Sequence, residues 1–196
     1  MTTTYNVSIE GISPMLHHSA AAVGMEITKK KKGGIAIEGD PNEWKTSIYF
    51  DEEAGVFLPA LNVEACFIQA AKQFKITGRQ TASAYFKSGV FCETDKLPFY
   101  VSGKQIKKIE EIGENPDTSI LRLGVKNPST RARNTRYRAQ FYNWSSQFNL
   151  IVAAEDYITA DLLKEVIEYA GSYIGLGDFR PRFGRFKVTS IKAQEK

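Results

Sequence analysis

The sequence predicts an α+β domain of the ferredoxin-like βαββαβ order, with a β-hairpin and a long basic loop inserted into it. Three observations lead there. Apolar and polar residues alternate with period two near both ends of the chain, at 4–12 and 185–191. Two amphipathic helical stripes lie inside, at 59–75 and 159–170. Two longer strand-like runs, 119–125 and 144–154, separate the helices. In that order both helices cover one face of an antiparallel sheet, which leaves the other face and the insertions for a ligand.

The first strand rests on Tyr5, Val7 and Ile9, and Ser13 and Pro14 stop it because proline cannot donate to a ladder. Two short runs, 45–50 and 56–59, flank a glycine-containing turn at 51–55 and read as a hairpin. The first helix takes Asn62 as its cap and places Val63, Cys66, Phe67, Ala70, Ala71 and Phe74 on one face. Residues 78–101 mix short apolar runs with turn residues, as short strands in an insertion do, and 104–113 reads as a short charged helix. Thr159 caps the second long helix, Asp161 suits the positive end of its dipole, and Gly171 ends it.

Length fits a single domain over 1–196, with insertions at about 15–44 and 126–143. Hydrophobic residues are 42% and charged residues 24%, and no apolar run approaches the ~18 residues of a membrane span. Residues 1–5 lack the basic region and apolar core of a secretory signal, so a cytoplasmic protein without a membrane partner is expected. Cys66 and Cys92 have no metal-ligand spacing, which predicts reduced, buried thiols and neither a metal nor a cofactor. Phosphate-loop and nucleophile-elbow patterns are absent, and Gly175 and Gly177 follow a helix where a dinucleotide fingerprint needs a strand.

The net charge of +4 says little about partners, but its distribution says more. Lys29, Lys30, Lys31 and Lys32, followed by two glycines, cannot pack in a core and mark a basic loop or hairpin tip. No acid occurs from 118 to 154, whereas Lys126, Arg131, Arg133, Arg136 and Arg138 all fall there, beside Tyr137, Phe141 and Tyr142. Alternate arginines at 131 and 133, and again at 136 and 138, point to one side of an extended ribbon, a form suited to tracking phosphates. The stretch 171–188, GSYIGLGDFRPRFGRFKV, carries Gly171, Gly175, Gly177 and Gly184 and interleaves Arg180, Arg182, Arg185 and Lys187 with three phenylalanines. Glycines let a backbone turn and approach a phosphate, arginines supply forked donors, and aromatic faces stack on unpaired bases.

Residues 12–16 (ISPML), 57–61 (FLPAL) and 171–186 resemble, in order, three features of the CRISPR-associated RAMP superfamily of RNA-binding proteins. These are a first strand ending near a proline, a small-residue or proline turn into helix one, and a glycine-rich loop before the last strand. The chain is also similar to phage and prophage proteins with such an opening strand and a DFRP...FGRF ending. The resemblance implies an RRM-like or RAMP-like core and a backbone subunit whose copies stack head to tail along a single-stranded guide. The ribbon from Lys126 to Arg138 then matches the thumb that folds over or kinks the strand. No aspartate of the kind that cleaving backbone subunits carry after their first strand is identified, so target cleavage is not expected.

The function expected is therefore non-catalytic binding of a single strand, RNA guide ahead of single-stranded DNA, by a homo-oligomer that forms a helical filament with or without other effector subunits. Its contacts are Lys29, Lys30, Lys31, Lys32, Lys126, Arg131, Arg133, Arg136, Arg138, Arg180, Arg182 and Arg185. Two alternatives stand beside it. A metal-independent endoribonuclease of the same superfamily would use His17 or His18 as general base, and a phage scaffold protein would leave the arginine asymmetry unexplained.

Overall fold

The computed structural model describes residues 2–19, 40–126, 133–153 and 156–194. In order they form β1 (Thr3–Gly11), β2 (Met15–Leu16), α1 (Glu43–Ser47), α2 (Ala60–Ala71), α3 (Ser83–Gly89), β3 (Val90–Cys92), β4 (Tyr100–Val101), β5 (Thr118–Lys126), β6 (Arg133–Phe141), β7 (Trp144–Val152), α4 (Ala160–Tyr169) and β8 (Phe186–Ala193), with further short strands between α1 and β5. β1 is central because Val7 and Ile9 on its inner face are fully buried. It pairs antiparallel with β7 on one side and β8 on the other, Val7 facing both Phe148 and Ile191. β3 and β4 both pair with the far side of β7. With α2 before that split edge and α4 before β8, the order is ferredoxin-like βαββαβ.

Both long helices lie on one face of this sheet. α2 turns Val63, Cys66, Phe67 and Ala70 inward, and Phe67 meets Phe148 of β7 with ring centroids 6.5 Å apart. Fully burying a side chain such as Phe67 is worth about 1.5–3 kcal/mol. α4 buries Leu163, Val166 and Ile167, and the Thr159 hydroxyl accepts from the Leu162 amide at 3.2 Å, as its sequence position predicts. The first helix has no such cap: Pro59 precedes it, and Asn62 instead donates to the Tyr49 hydroxyl at 3.2 Å. Burial pushes the Cys66 thiol up to about 12, and burial followed by the neighbouring Glu64 does the same for Cys92, so both free thiols stay protonated.

Several sequence expectations change partners. The run 119–125 is not in the central sheet; it is β5, which pairs along its whole length with β6, from Thr118 opposite Phe141 to Lys126 opposite Arg133. The thumb therefore spans 118–141 and begins earlier than the predicted insertion. Alternation of Leu121, Leu123 and Val125 with outward residues is the same for an arm packed on one side as for a core strand. The missing second strand is supplied by β3 and β4, short pieces of the segment read as an insertion. Residues 43–47 are helical where a strand was expected at 45–50, and in place of the helix expected at 104–113 there is a short strand, Lys104–Gln105, followed by a 3-10 turn, Ile109–Glu111. The centre of the open sheet face is a network of amides, Gln147 donating to Asn6, Asn6 to Asn149 and Asn149 to Glu93. Among the described residues no helix is long and apolar enough to cross a membrane.

Candidate nucleic-acid interface

The last turn of α4 widens into a π-type turn, Ala170–Ile174, closed by the Gly175 amide donating to the Ala170 carbonyl at 2.8 Å. The chain then runs as a loop stitched to residues 12–16. The Asp178 amide donates to the Leu16 carbonyl, the Gly184 amide to the Pro14 carbonyl and the Ile12 amide to the Arg185 carbonyl, each at 2.8 Å. Two glycines make this possible. Gly177 has φ +79° and a β-carbon there would lie 2.3 Å from the Leu16 carbonyl oxygen; Gly184 has φ +74° and would meet the Leu176 carbonyl oxygen at 1.6 Å. Gly171 inside the π-type turn lies against Phe186, and Gly175 just after it lies against residues 183–184.

The same short segment holds the thumb. β2 pairs with the base of β6, Leu16 opposite Gln140 and Met15 opposite Phe141. The two basic stretches singled out in the sequence therefore meet at residues 13–18. There the arginines find acids. Arg138 is 4% exposed; its guanidinium donates to Glu43 Oε1 at 3.0 Å and to Asp178 Oδ2 at 3.3 Å. Arg136 donates to the same Glu43 oxygen at 2.9 Å, and Glu43 is itself 6% exposed. Glu43 lies on α1, which packs on β6, and Asp178 lies in the glycine loop, so one ion network ties three elements together.

This corrects the ribbon. Arg138 does not project to a ligand, because its charge is taken by two carboxylates that arrive from other parts of the chain. Register places Arg136 and Arg138 opposite Leu123 and Leu121, while Arg133, opposite Lys126, lies on the other face, which Arg122 shares. The exposed cations of the described thumb thus include Arg122, Lys126 and Arg133. Arg131 and Lys29 to Lys32 lie outside the described residues.

The two histidines separate. His17 is fully buried, its ring centroid 4.8 Å from Phe141, 5.2 Å from Phe99 and 5.3 Å from Tyr49. Its Nδ1 accepts from the Tyr49 amide at 3.4 Å, and burial pulls its pKa down to about 3. It is a neutral core residue and leaves the list of candidate bases. His18 turns outward, and its Nδ1 lies 3.2 Å from Asp178 Oδ2. A proton on Nδ1 shared with that carboxylate leaves Nε2 as an acceptor.

His18, Tyr49, Asn62, Gly177, Asp178 and Arg180 surround a pocket of about 280 Å³. A second depression of about 350 Å³ shares Gly177, Asp178 and Arg180 with it and adds Tyr173, Phe179 and Pro181. A third, of about 750 Å³, shares Tyr173 and Pro181 with the second and is lined further by Arg182 and Arg185. Together they form one groove along the glycine loop, polar at the His18 end and apolar at the other. Arg180, Arg182 and Arg185 are all exposed along it. Glu43, Asp178, Tyr49, Asn62 and Tyr173 are the residues that sequence reasoning missed. One signal was available: Asp178 is the sole acid in 171–188, and a lone acid among arginines implies an internal partner. Among the described residues no cluster of His, Cys, Asp and Glu is arranged to hold a metal ion.

No family model and no curated protein sequence matches the chain. A solved structure does: a chain in the "Cryo-EM structure of the Type III-B Cmr-beta bound to cognate target RNA" superposes with a TM-score of 0.53 at 10% identity. The two chains share a fold. The match covers 99% of this chain and 61% of that one, so this chain spans about three fifths of its structural neighbour's length. At that identity the likeness is one of fold, and the groove's chemistry rests on this chain's own residues.

Proposed function

We propose that the protein binds a single strand of RNA along the glycine-loop groove as a subunit of a multi-protein effector assembly, copies stacking head to tail on the strand without cutting it. The observation that carries this reading is the groove itself: three exposed arginines, 180, 182 and 185, follow a loop whose backbone is pinned by residues 12–16. A backbone held in place sets the spacing of the three side chains, and the guanidinium fork matches a phosphate. The fold shared with a chain of an assembly described as bound to target RNA supports the choice of RNA. Arg122, Lys126 and Arg133 on the outer face of the thumb extend the basic track. Repeated contacts of one kind generate a helical filament when the rotation does not close.

A salt titration tests it. Neutralising a phosphate on a single strand contributes about 0.7 to the slope of log K against log salt. Replacing Arg180, Arg182 and Arg185 together by alanine should lower that slope by roughly 2, with the thermal midpoint nearly unchanged because all three are exposed. An unaltered slope would overturn the groove assignment. Matched RNA and DNA strands in the same titration name the ligand, and negative-stain images show whether filaments form.

A second reading is favoured by one contact, His18 with Asp178 in the polar pocket. An imidazole whose Nδ1 is oriented by a carboxylate can take a 2'-hydroxyl proton at Nε2, with Arg180 beside the phosphate. Strand recovered from the titration should be intact. Cleavage lost in His18→Ala and kept in His17→Gln would make the protein a nuclease.

A further inference from the structure

We propose that the apolar end of the groove is a subsite for one unstacked nucleobase of the bound strand, with the adjoining phosphate held at its rim; this rests on the strand-binding reading above. An aromatic ladder leads to it. Phe74 meets Tyr169 edge-on at 5.7 Å, and Tyr169 meets Tyr173 at 4.6 Å with the rings tilted by 37°. Tyr169 and Phe74 pack against the hydrophobic core, whereas Tyr173 is 64% exposed. One side of its ring is braced from inside and the rest opens into the groove. The π-type turn that carries Tyr173 is closed by a backbone bond, so the ring is positioned before any ligand arrives.

The surroundings select the ligand's chemistry. Tyr173, Phe183, Pro14 and Pro181 give apolar walls to a depression of about 750 Å³, and Arg182 and Arg185 stand with them. Apolar walls alone would suit a peptide side chain. An exposed aromatic face together with two guanidiniums suits a planar ring that carries an anion, which is a nucleotide. The walls are also fixed relative to one another, since the Gly184 amide bonds to Pro14 and the Arg185 amide donates to the Ser13 hydroxyl at 2.9 Å. Stacking of this kind tolerates any base, because every base has a π-face. The subsite therefore adds affinity and spacing along the strand without sequence preference.

The test compares an RNA oligonucleotide with the same oligonucleotide made wholly abasic, each titrated with the wild type, Tyr173→Ala and Tyr173→Trp at one salt concentration. Stacking of a base on an aromatic side chain corresponds to a loss of roughly 5- to 150-fold in affinity on truncation to alanine. Tyr173→Ala should lose that factor on the intact RNA only, keep the wild-type salt slope, and bind the abasic strand as the wild type does. Tyr173→Trp should bind intact RNA at least as tightly as the wild type. Equal losses on intact and abasic strands would overturn the subsite, since they report a disturbed loop. Wild-type affinity of Tyr173→Ala for intact RNA, with the salt slope still steep, would overturn the subsite and leave strand binding standing. A wild type that binds neither strand would remove both.

Discussion

Replacing Arg138 by alanine is expected to destabilise the protein by about 1.5–3 kcal/mol, because it takes a charged donor away from two carboxylates at once, Glu43 keeping Arg136 and Asp178 keeping His18. Glu43 is 6% exposed and shares one oxygen between Arg136 and Arg138; Asp178 is held by Arg138 and His18. Removing the guanidinium leaves Glu43 to Arg136 and the Tyr137 amide and takes away the ionic tie between the glycine loop and the thumb. Urea denaturation at neutral pH measures the loss, and a change below about 1 kcal/mol would show that water reaches Glu43 freely. Arg138→Lys should recover little, since an ammonium cannot fork to two carboxylates on different elements. Arg138→Met combined with Glu43→Gln and Asp178→Asn should recover much of the stability, because a buried ion network is costly to assemble as well as to break.

Acid is expected to unfold the protein through His17. The folded-state pKa is pulled down to about 3 from an ordinary 6.5 by burial among Tyr49, Phe99 and Phe141. Between those values the unfolded chain binds a proton that the folded chain refuses, so stability is complete above pH 6.5 and falls as pH drops toward 3. The slope approaches about 1.4 kcal/mol per pH unit. Measured by denaturation between pH 6.5 and 5, above the carboxylate range, it should flatten in His17→Gln, whatever the variant's stability at pH 7. An equal slope in both proteins would mean that His17 is solvated. In the structure His17 Nε2 is buried without a hydrogen-bond partner, a cost already present at neutral pH that a neutral variant need not retain.

The thumb shows how a local reading can identify a segment's type and still misplace it. Residues 118–126 alternate as an amphipathic strand should, and they are a strand. Alternation records that one face is covered, and it is silent about what covers it. β3, by contrast, is three residues long, too short for any period to register, yet it completes the edge of the central sheet. The histidine pair failed differently. Adjacent residues point to opposite sides, which predicted that at most one would reach a ligand. Only the aromatic cage supplied by Tyr49, Phe99 and Phe141 decided that His17 is the inner one.

By itself the sequence determined what depends on neighbours within a few residues: the period of β1, the apolar stripes of α2 and α4, the Thr159 cap and the glycine-shaped loop with its arginines. Those features follow from backbone sterics and side-chain spacing, which are local. The tertiary structure alone decided which charges remain for a ligand. Arg138 stands 95 residues from Glu43 and 40 from Asp178, yet both carboxylates lie within 3.3 Å of its guanidinium. A Coulomb interaction depends on distance in space. A stretch without acids is therefore not a stretch without counter-charges, and among the described residues Arg180, Arg182 and Arg185 of the loop stay exposed where Arg138 does not.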